Sequence, residues 1–277
     1  MTQEPTPTIL YEPEKAKHAR GLEIVAAEID ILGQPVHFRV GVADGPARLA
    51  DIVPLARTIS TKLALTVLDS LSKNGQSVSC HKGCSACCHY LIPLSVPEVF
   101  RLREEVLSMS AAASGRILQS CLDTAERILD RRLRTSYVER FSQSGQPRLS
   151  QVSKWYGGLR LACPFLSDGL CTLYEQRPIA CREHIVTSSP RTCEIEATNE
   201  PEVVRIPVSV LDALGQLAAD LEQSDVEAVM LPLALPWAQS NLERSHRSWP
   251  AATMVKRFVD ILKQTASENA AALAQSP

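Results

Sequence analysis

The chain has 277 residues, with 29 Lys and Arg against 31 Asp and Glu, 45% hydrophobic and 22% charged residues, and a formal net charge of −2. A pI near 6.3 argues against a general nucleic-acid binder, which carries a basic excess. Ordinary apolar content with little net charge also excludes a chain that is disordered throughout.

Length suggests one or two domains, at about 100–200 residues each. Met1 to Arg20 lacks the apolar run of a secretory signal. The most hydrophobic window, Val229 to Ala238, is interrupted by Pro232 and Pro236. It falls well short of the roughly 20 apolar residues of a membrane helix. The chain therefore reads as cytoplasmic, with neither a membrane nor a nucleic acid as partner.

Residues 1–20 read as a flexible N-terminus. Leu22 to Leu32 and Val36 to Val42 are rich in β-formers around Gly33-Gln34-Pro35, which predicts a β-hairpin with its turn there. Ala47 to Ser72 has helical apolar spacing, with Pro54 in the first turn or at a break and Asn74-Gly75 as the stop. Ser95-Val96-Pro97-Glu98 has the form of a capped helix start, predicting a helix over Pro97 to Ser108. A stripe of Ile117, Leu118, Cys121, Leu122, Ala125, Ile128, Leu129 and Leu133 predicts a second helix from Ser114 to Phe141, followed by a loop over Ser142 to Ser150. Residues 194–207 read as irregular. Val208 to Leu221, Val226 to Leu235 and Ala252 to Thr265 read as helices, with a fraying tail after Gln264.

The expected fold class is mainly α (α+β), a helical protein with an N-terminal β-hairpin and a loop-rich, cysteine-ligated metal site. The expected organisation is a flexible N-terminus (1–20), a hairpin plus helix (21–75), a cysteine-cluster domain with a helical insert (76–200), and C-terminal helices on the same core (201–277).

Nine cysteines carry the chemistry of the chain. In a reducing compartment, clustered cysteines point to metal or catalysis rather than disulfides. The first group is Cys80-His81-Lys82-Gly83-Cys84-Ser85-Ala86-Cys87-Cys88-His89. Thiolates are soft ligands suited to zinc and to iron–sulfur clusters, and CxxC spacing lets two sulfurs face one ion. On a helix, positions 84, 87 and 88 would share a face, with Gly83 at the loop-to-helix junction. The bland alternative, small apolar residues on a helical stripe, suits poorly a group holding two histidines and a lysine.

The second group runs from Cys163-Pro164-Phe165-Leu166 through Asp168-Gly169 to Cys171, then to Cys181-Arg182 and Cys193. Asp168-Gly169 predicts a turn that brings Cys163 and Cys171 together. Arg177-Pro178 is expected to end a short helical segment before Cys181. Arg177 and Arg182 could balance thiolate charge or lie on the ordinary surface. Phe165 and Tyr174 are expected to pack around the site.

These groups resemble the YkgJ-type cysteine-cluster family of zinc- or iron-chelating domains. The resemblance rests on the first group together with Cys163-Pro164-Phe165-Leu166, Gly169-Leu170-Cys171 and Tyr174-Glu175-Gln176-Arg177-Pro178-Ile179-Ala180-Cys181-Arg182, over about residues 78–193. It implies an iron–sulfur cluster or zinc held by Cys80, Cys84, Cys87, Cys88, Cys163, Cys171, Cys181 and Cys193. It does not specify a reaction. Some related proteins act in lysine methylation of flagellin, but no Gly-rich loop after a strand supports a methyl-donor site here.

Eight thiols allow two closed zinc sites, one binuclear site, or one four-sulfur cluster with spare thiols. Two functions follow: a metal-binding protein with a redox or protein-modification role, or a zinc-stabilised interaction module without chemistry of its own.

Other readings are weaker. Cys80-x3-Cys84-x2-Cys87 has the spacing of radical SAM enzymes, but repeated βα units do not follow it. His81, His89 and His184 are secondary ligand candidates or plain polar loop residues, and His18, His37 and His246 have no evident partner in sequence. Cys121, on an apolar stripe, reads as core. Glu98, Glu104 and Glu105 read as a solvated helix face.

Overall fold

The computed structural model describes residues 9–11, 22–134, 149–194 and 196–274. Strands β2 (Leu22–Ile31) and β3 (Gln34–Ala43) form the expected hairpin. Every second side chain is buried, with Val25, Ala27, Ile29 and Ile31 on β2 facing inward with Val36, Phe38, Val40 and Val42 on β3. This is the period-two pattern of a sheet with one face on the core. The turn is Leu32-Gly33 rather than Gly33-Gln34-Pro35, because Ile31 pairs with Gln34 and Asp30 with Pro35. Both turn residues have positive φ (55° and 80°), as in the two-residue turns that match strand twist. Asp30 Oδ1 holds the Gly33 N–H at 2.9 Å.

A third strand, β1 (Ile9–Tyr11), pairs antiparallel with Val40–Val42 of β3. That corrects the reading of residues 1–20 as wholly flexible; the rest of that stretch lies outside the described residues.

The predicted helix over 47–72 begins instead as strand β4 (Pro46–Arg48) and a 3-10 turn (Leu49–Ile52), before α1 (Val53–Lys73) with Pro54 in its first turn. β4 pairs with β9 (Ser248–Pro250), a partner that a local pattern does not reveal. β5 (Pro93–Ser95) leads into α2 (Val96–Leu107), which carries the predicted Ser95–Glu98 capping box.

α3 (Ala111–Arg134) follows, and the predicted extension to Phe141 falls outside the described residues. Its buried stripe is narrower than the sequence suggests: Ile117, Cys121, Ala125 and Ile128 are buried, whereas Leu118, Leu122 and Leu129 are exposed. The loop expected to reach Ser150 gives way by Leu149 to α4 (Leu149–Gly158). Its Tyr156 is buried with Ile128 and Leu161 in a small second cluster.

In the C-terminal third, α6 (Val210–Glu222), which follows the short helix α5 (Ile179–Glu183), matches expectation. The run Val226 to Leu235 is not one helix. It forms β8 (Ala228–Met230) against β5, a 3-10 turn (Leu231–Leu233), and the start of α7 (Ala234–Ser240). A short apolar run is ambiguous between strand and helix, and pairing with β5 resolves it. After α8 (Leu242–Ser245), α9 (Ala251–Ala274) continues past Gln264, where fraying was expected.

The protein is mainly helical with short antiparallel sheets. One buried cluster runs from Val25 on β2 through Ile59 and Leu63 on α1, Val99 and Phe100 on α2 and Leu214 on α6 to Phe258 and Leu262 on α9. The cysteine-bearing loops sit against one side of it. No helix among the described residues is long and apolar enough to cross a membrane.

Candidate metal centre

The first cysteine group is not helical. Residues 81–90 form successive tight turns in which Cys84 N donates to His81 O (3.1 Å), Cys88 N to Ser85 O (2.9 Å) and Tyr90 N to Cys87 O (3.0 Å). These bonds span three residues, so no i→i+4 ladder develops, and Gly83 takes a left-handed φ of +97° that halts any helix. The loop bonds outward instead. Cys163 N donates to Cys88 O at 2.7 Å, and Ser79 N to Val186 O at 3.1 Å. The two cysteine groups are thus joined through the backbone.

The second group behaves as the turn signal predicts. β6 (Leu166–Ser167) and β7 (Leu170–Cys171) pair around Asp168 and Gly169, with φ of 51° and 74°. Cys163 and Cys171 line the same cavity.

Arg177-Pro178 precedes a helix rather than ending one. Pro178 caps α5 (Ile179–Glu183), which carries Cys181. Both ends of this short helix are held by buried carboxylates. Glu98, 1% exposed, accepts from Ile179 N at 2.8 Å and from Ser95 N and Oγ at 3.2 and 2.9 Å. Glu183 accepts from Val210 N at 2.7 Å and Ser209 Oγ at 3.2 Å. Burial raises the pKa of both carboxyls, that of Glu183 to about 7. The solvated-face reading of Glu98, Glu104 and Glu105 is overturned. Glu98 is in the core, Glu105 pairs with the largely buried Arg57 at 2.6 Å, and Glu104 with Arg48 at 2.7 Å.

Cys84, Cys87, Cys88, Cys163, Cys171 and Cys181 line one cavity of about 250 Å³, walled by Tyr90, Ile92, Phe165, Leu173, Tyr174 and His184. Cys80 and Cys193 lie beside it, close enough to Cys84 and Cys87 for electrostatic coupling. All eight predicted ligands are thus carried to one neighbourhood. Among the described residues no three His, Cys, Asp or Glu side chains stand close enough to grip one ion as they are.

Five of the eight thiols are held toward the protonated state. Burial pushes Cys163 up to about 12 and raises Cys80, Cys181 and Cys193, while Cys87 is raised chiefly by its hydrogen bond with Cys88 and then by burial. Arg177 opposes the rise at Cys80, Cys87 and Cys181. Crowded soft donors that resist ionisation on their own are a fitting environment for a thiophilic cation, which supplies the missing positive charge.

Phe165 and Tyr174 pack at the site as expected, and Tyr174 stacks with Arg177 at 4.6 Å and Lys82 at 4.9 Å. Arg182 donates to Arg177 O, Glu175 O and Thr61 Oγ1 and is an electrostatic neighbour of Cys181. Cys121 is fully buried on α3, as a core residue should be.

Of the histidines, His81 is exposed beside Ser79 O, His37 pairs at the surface with Glu28, and His246 is exposed. His18 lies outside the described residues. His184 Nε2 and His89 Nδ1 are buried without a hydrogen-bond partner, and the His184 ring meets Tyr90 edge-on at 5.6 Å. Buried polar atoms without partners call for an explanation, and ligand binding is one.

Sequence reasoning missed Glu98, Glu183, Tyr90 and Tyr156. The only local signal was the capping box, which marks Glu98 as a helix-start residue but not as the anchor of α5. Among the described residues no repeated βα units follow Cys87: the next elements are β5, α2 and α3, and the strand pairs are antiparallel. That departs from the setting of the radical SAM motif.

No curated protein and no solved structure matches the chain. Residues 79–203 match the family model CxxCxxCC, described as "putative zinc- or iron-chelating domain". The matched stretch contains all nine cysteines, the eight clustered ones and Cys121. Over residues 79–203, then, this chain is similar to the CxxCxxCC family.

Proposed function

We propose that this chain is a cysteine-ligated metal-binding protein, with Cys80, Cys84, Cys87, Cys88, Cys163, Cys171, Cys181 and Cys193 as the ligands of zinc or an iron–sulfur cluster. The observation that carries this reading is the single cavity lined by six of these thiols from two distant parts of the sequence. An iron–sulfur cluster supplies electron transfer or Lewis-acid chemistry, whereas zinc supplies a structural crosslink whose binding energy becomes folding energy. The protein's own residues set the environment. Phe165, Leu173 and Tyr174 keep water from the sulfurs, and Arg177 offsets their charge.

The first role is redox or protein modification at this centre. The second is a zinc-stabilised interaction module without catalysis.

Metal and acid-labile sulfide analysis of protein purified without oxygen, with a visible spectrum, separates the two. Iron with sulfide and a brown colour supports the first, and colourless protein with stoichiometric zinc the second. Folded, reduced protein without metal overturns both. Cys84→Ser and Cys171→Ser are each expected to lose metal; full retention in both overturns the ligand assignment.

A further inference from the structure

The clustered cysteines are not placed alike: six line the cavity, and Cys80 and Cys193 lie beside it. Cys88 belongs with the second group: its carbonyl accepts from Cys163 N at 2.7 Å, and both residues line the cavity with Cys171 and Cys181. Cys181 has Cys163 and Cys171 as electrostatic neighbours and Cys163 has Cys171, while Cys87 neighbours both from the first group.

Cys80 belongs elsewhere. Its Sγ accepts from Val186 N at 3.4 Å, and the preceding Ser79 Oγ donates to Ser188 O at 2.6 Å. Ser188 Oγ meets Thr192 Oγ1 at 2.8 Å, immediately before Cys193. This path ties Cys80 to Cys193, and Cys193 has Cys87, Cys80 and Cys84 as its electrostatic neighbours.

Cys87 and Cys88 meet at the boundary, their thiols sharing a hydrogen bond. Adjacent residues make a strained chelate for one ion, whereas two sulfurs in contact can serve two ions side by side.

Resting on the metal-binding reading above, we propose two adjacent four-thiolate positions for thiophilic divalent cations such as Zn²⁺ or Fe²⁺. The inner position uses Cys88, Cys163, Cys171 and Cys181. The outer position uses Cys80, Cys84, Cys87 and Cys193. Four thiolates per ion is the closed arrangement of structural zinc. Each position then carries excess negative charge, and Arg177 neighbours Cys80, Cys87 and Cys181, so it faces both.

The test uses the full, reduced, metal-depleted chain. It is loaded stepwise with Zn²⁺, its bound metal is counted by native mass spectrometry, and its unprotected thiols are alkylated with iodoacetamide and mapped. The expected result is saturation at two ions per chain, with protection falling into the two sets of four and Cys121 tracking neither. Cys193→Ser should lose about half of the bound zinc while the inner four stay protected, and Cys171→Ser should do the reverse.

Saturation at one ion, or a protected set at one equivalent that mixes the two groups, overturns the division while leaving the metal reading intact. Equal loss of protection at Cys163 and Cys80 in folded Cys193→Ser also overturns it. A folded, reduced chain that takes up no Zn²⁺ and carries no iron as purified sinks the metal reading and the division with it. If a variant fails to fold, the footprint of the unaltered chain decides alone.

Discussion

Glu98 is the single side chain that best links core to metal centre. One oxygen holds the start of α5, two residues before Cys181, and the other closes the capping box of α2. A buried donor left without a partner costs about 1–3 kcal/mol. Glu98→Ala orphans the N–H groups of Ile179 and Ser95, so destabilisation of at least that size is expected in urea unfolding. Because Cys181 also loses its backbone anchor, a chelator should strip metal from this variant faster. Glu98→Gln keeps an acceptor and should recover most of both effects. Loss of stability with an unchanged metal-release rate would show that Glu98 serves the fold alone.

At the scale of elements, the site is assembled from pieces that have little structure by themselves. The β6–β7 pair has two residues on each side and depends on its turn for register. Gly169 sits at φ +74° with open space around it, so a methyl group there is strained by the backbone rather than by a clash. The left-handed conformation costs an L-residue about 1–2 kcal/mol. Gly169→Ala should lower the thermal midpoint and weaken metal retention through Cys171. Gly115, on α3 with nothing near its missing side chain, is the control: Gly115→Ala should stabilise by about 0.5–1 kcal/mol without touching metal content. A thermal melt with metal analysis of both variants checks the contrast.

At the scale of the whole molecule, the buried cluster of sheet, α1, α2, α6 and α9 draws most of its members from outside the cysteine loops. A core of that extent can hold without metal. Chelation is therefore expected to leave most of the helical circular dichroism in place, while amide exchange accelerates over residues 79–92 and 163–193. Global unfolding on chelation would overturn this. The thiols add a pH dependence of defined sign. Burial raises the pKa of Cys163 in the folded, metal-free chain, so the stability it contributes is fully present below the ordinary thiol value of 9.0 and lost as pH rises toward about 12. Metal uptake must displace the thiol protons, so apparent metal affinity should fall as pH is lowered, and a weakly buffered titration should record acid released on zinc addition.

Much of this protein was legible in its sequence because the signals were local. Alternating apolar residues specified the hairpin, Ser95 to Glu98 specified the start of α2, and Asp168-Gly169 specified the reversal that brings Cys163 and Cys171 to one cavity. The eight ligand candidates were legible too, because soft donors in dense spacing have few other uses. What only the tertiary structure decided was long-range. The pairing of β5 with β8 turned part of an apparent helix into a strand. The bonds from Cys88 to Cys163 and from Ser79 to Val186 drew the first cysteine loop out of a helical conformation. Burial of Glu98 against Ile179 turned an apparent surface residue into an anchor. Each joins residues dozens of positions apart, and no periodicity in a short window registers a hydrogen bond whose partner lies across the fold.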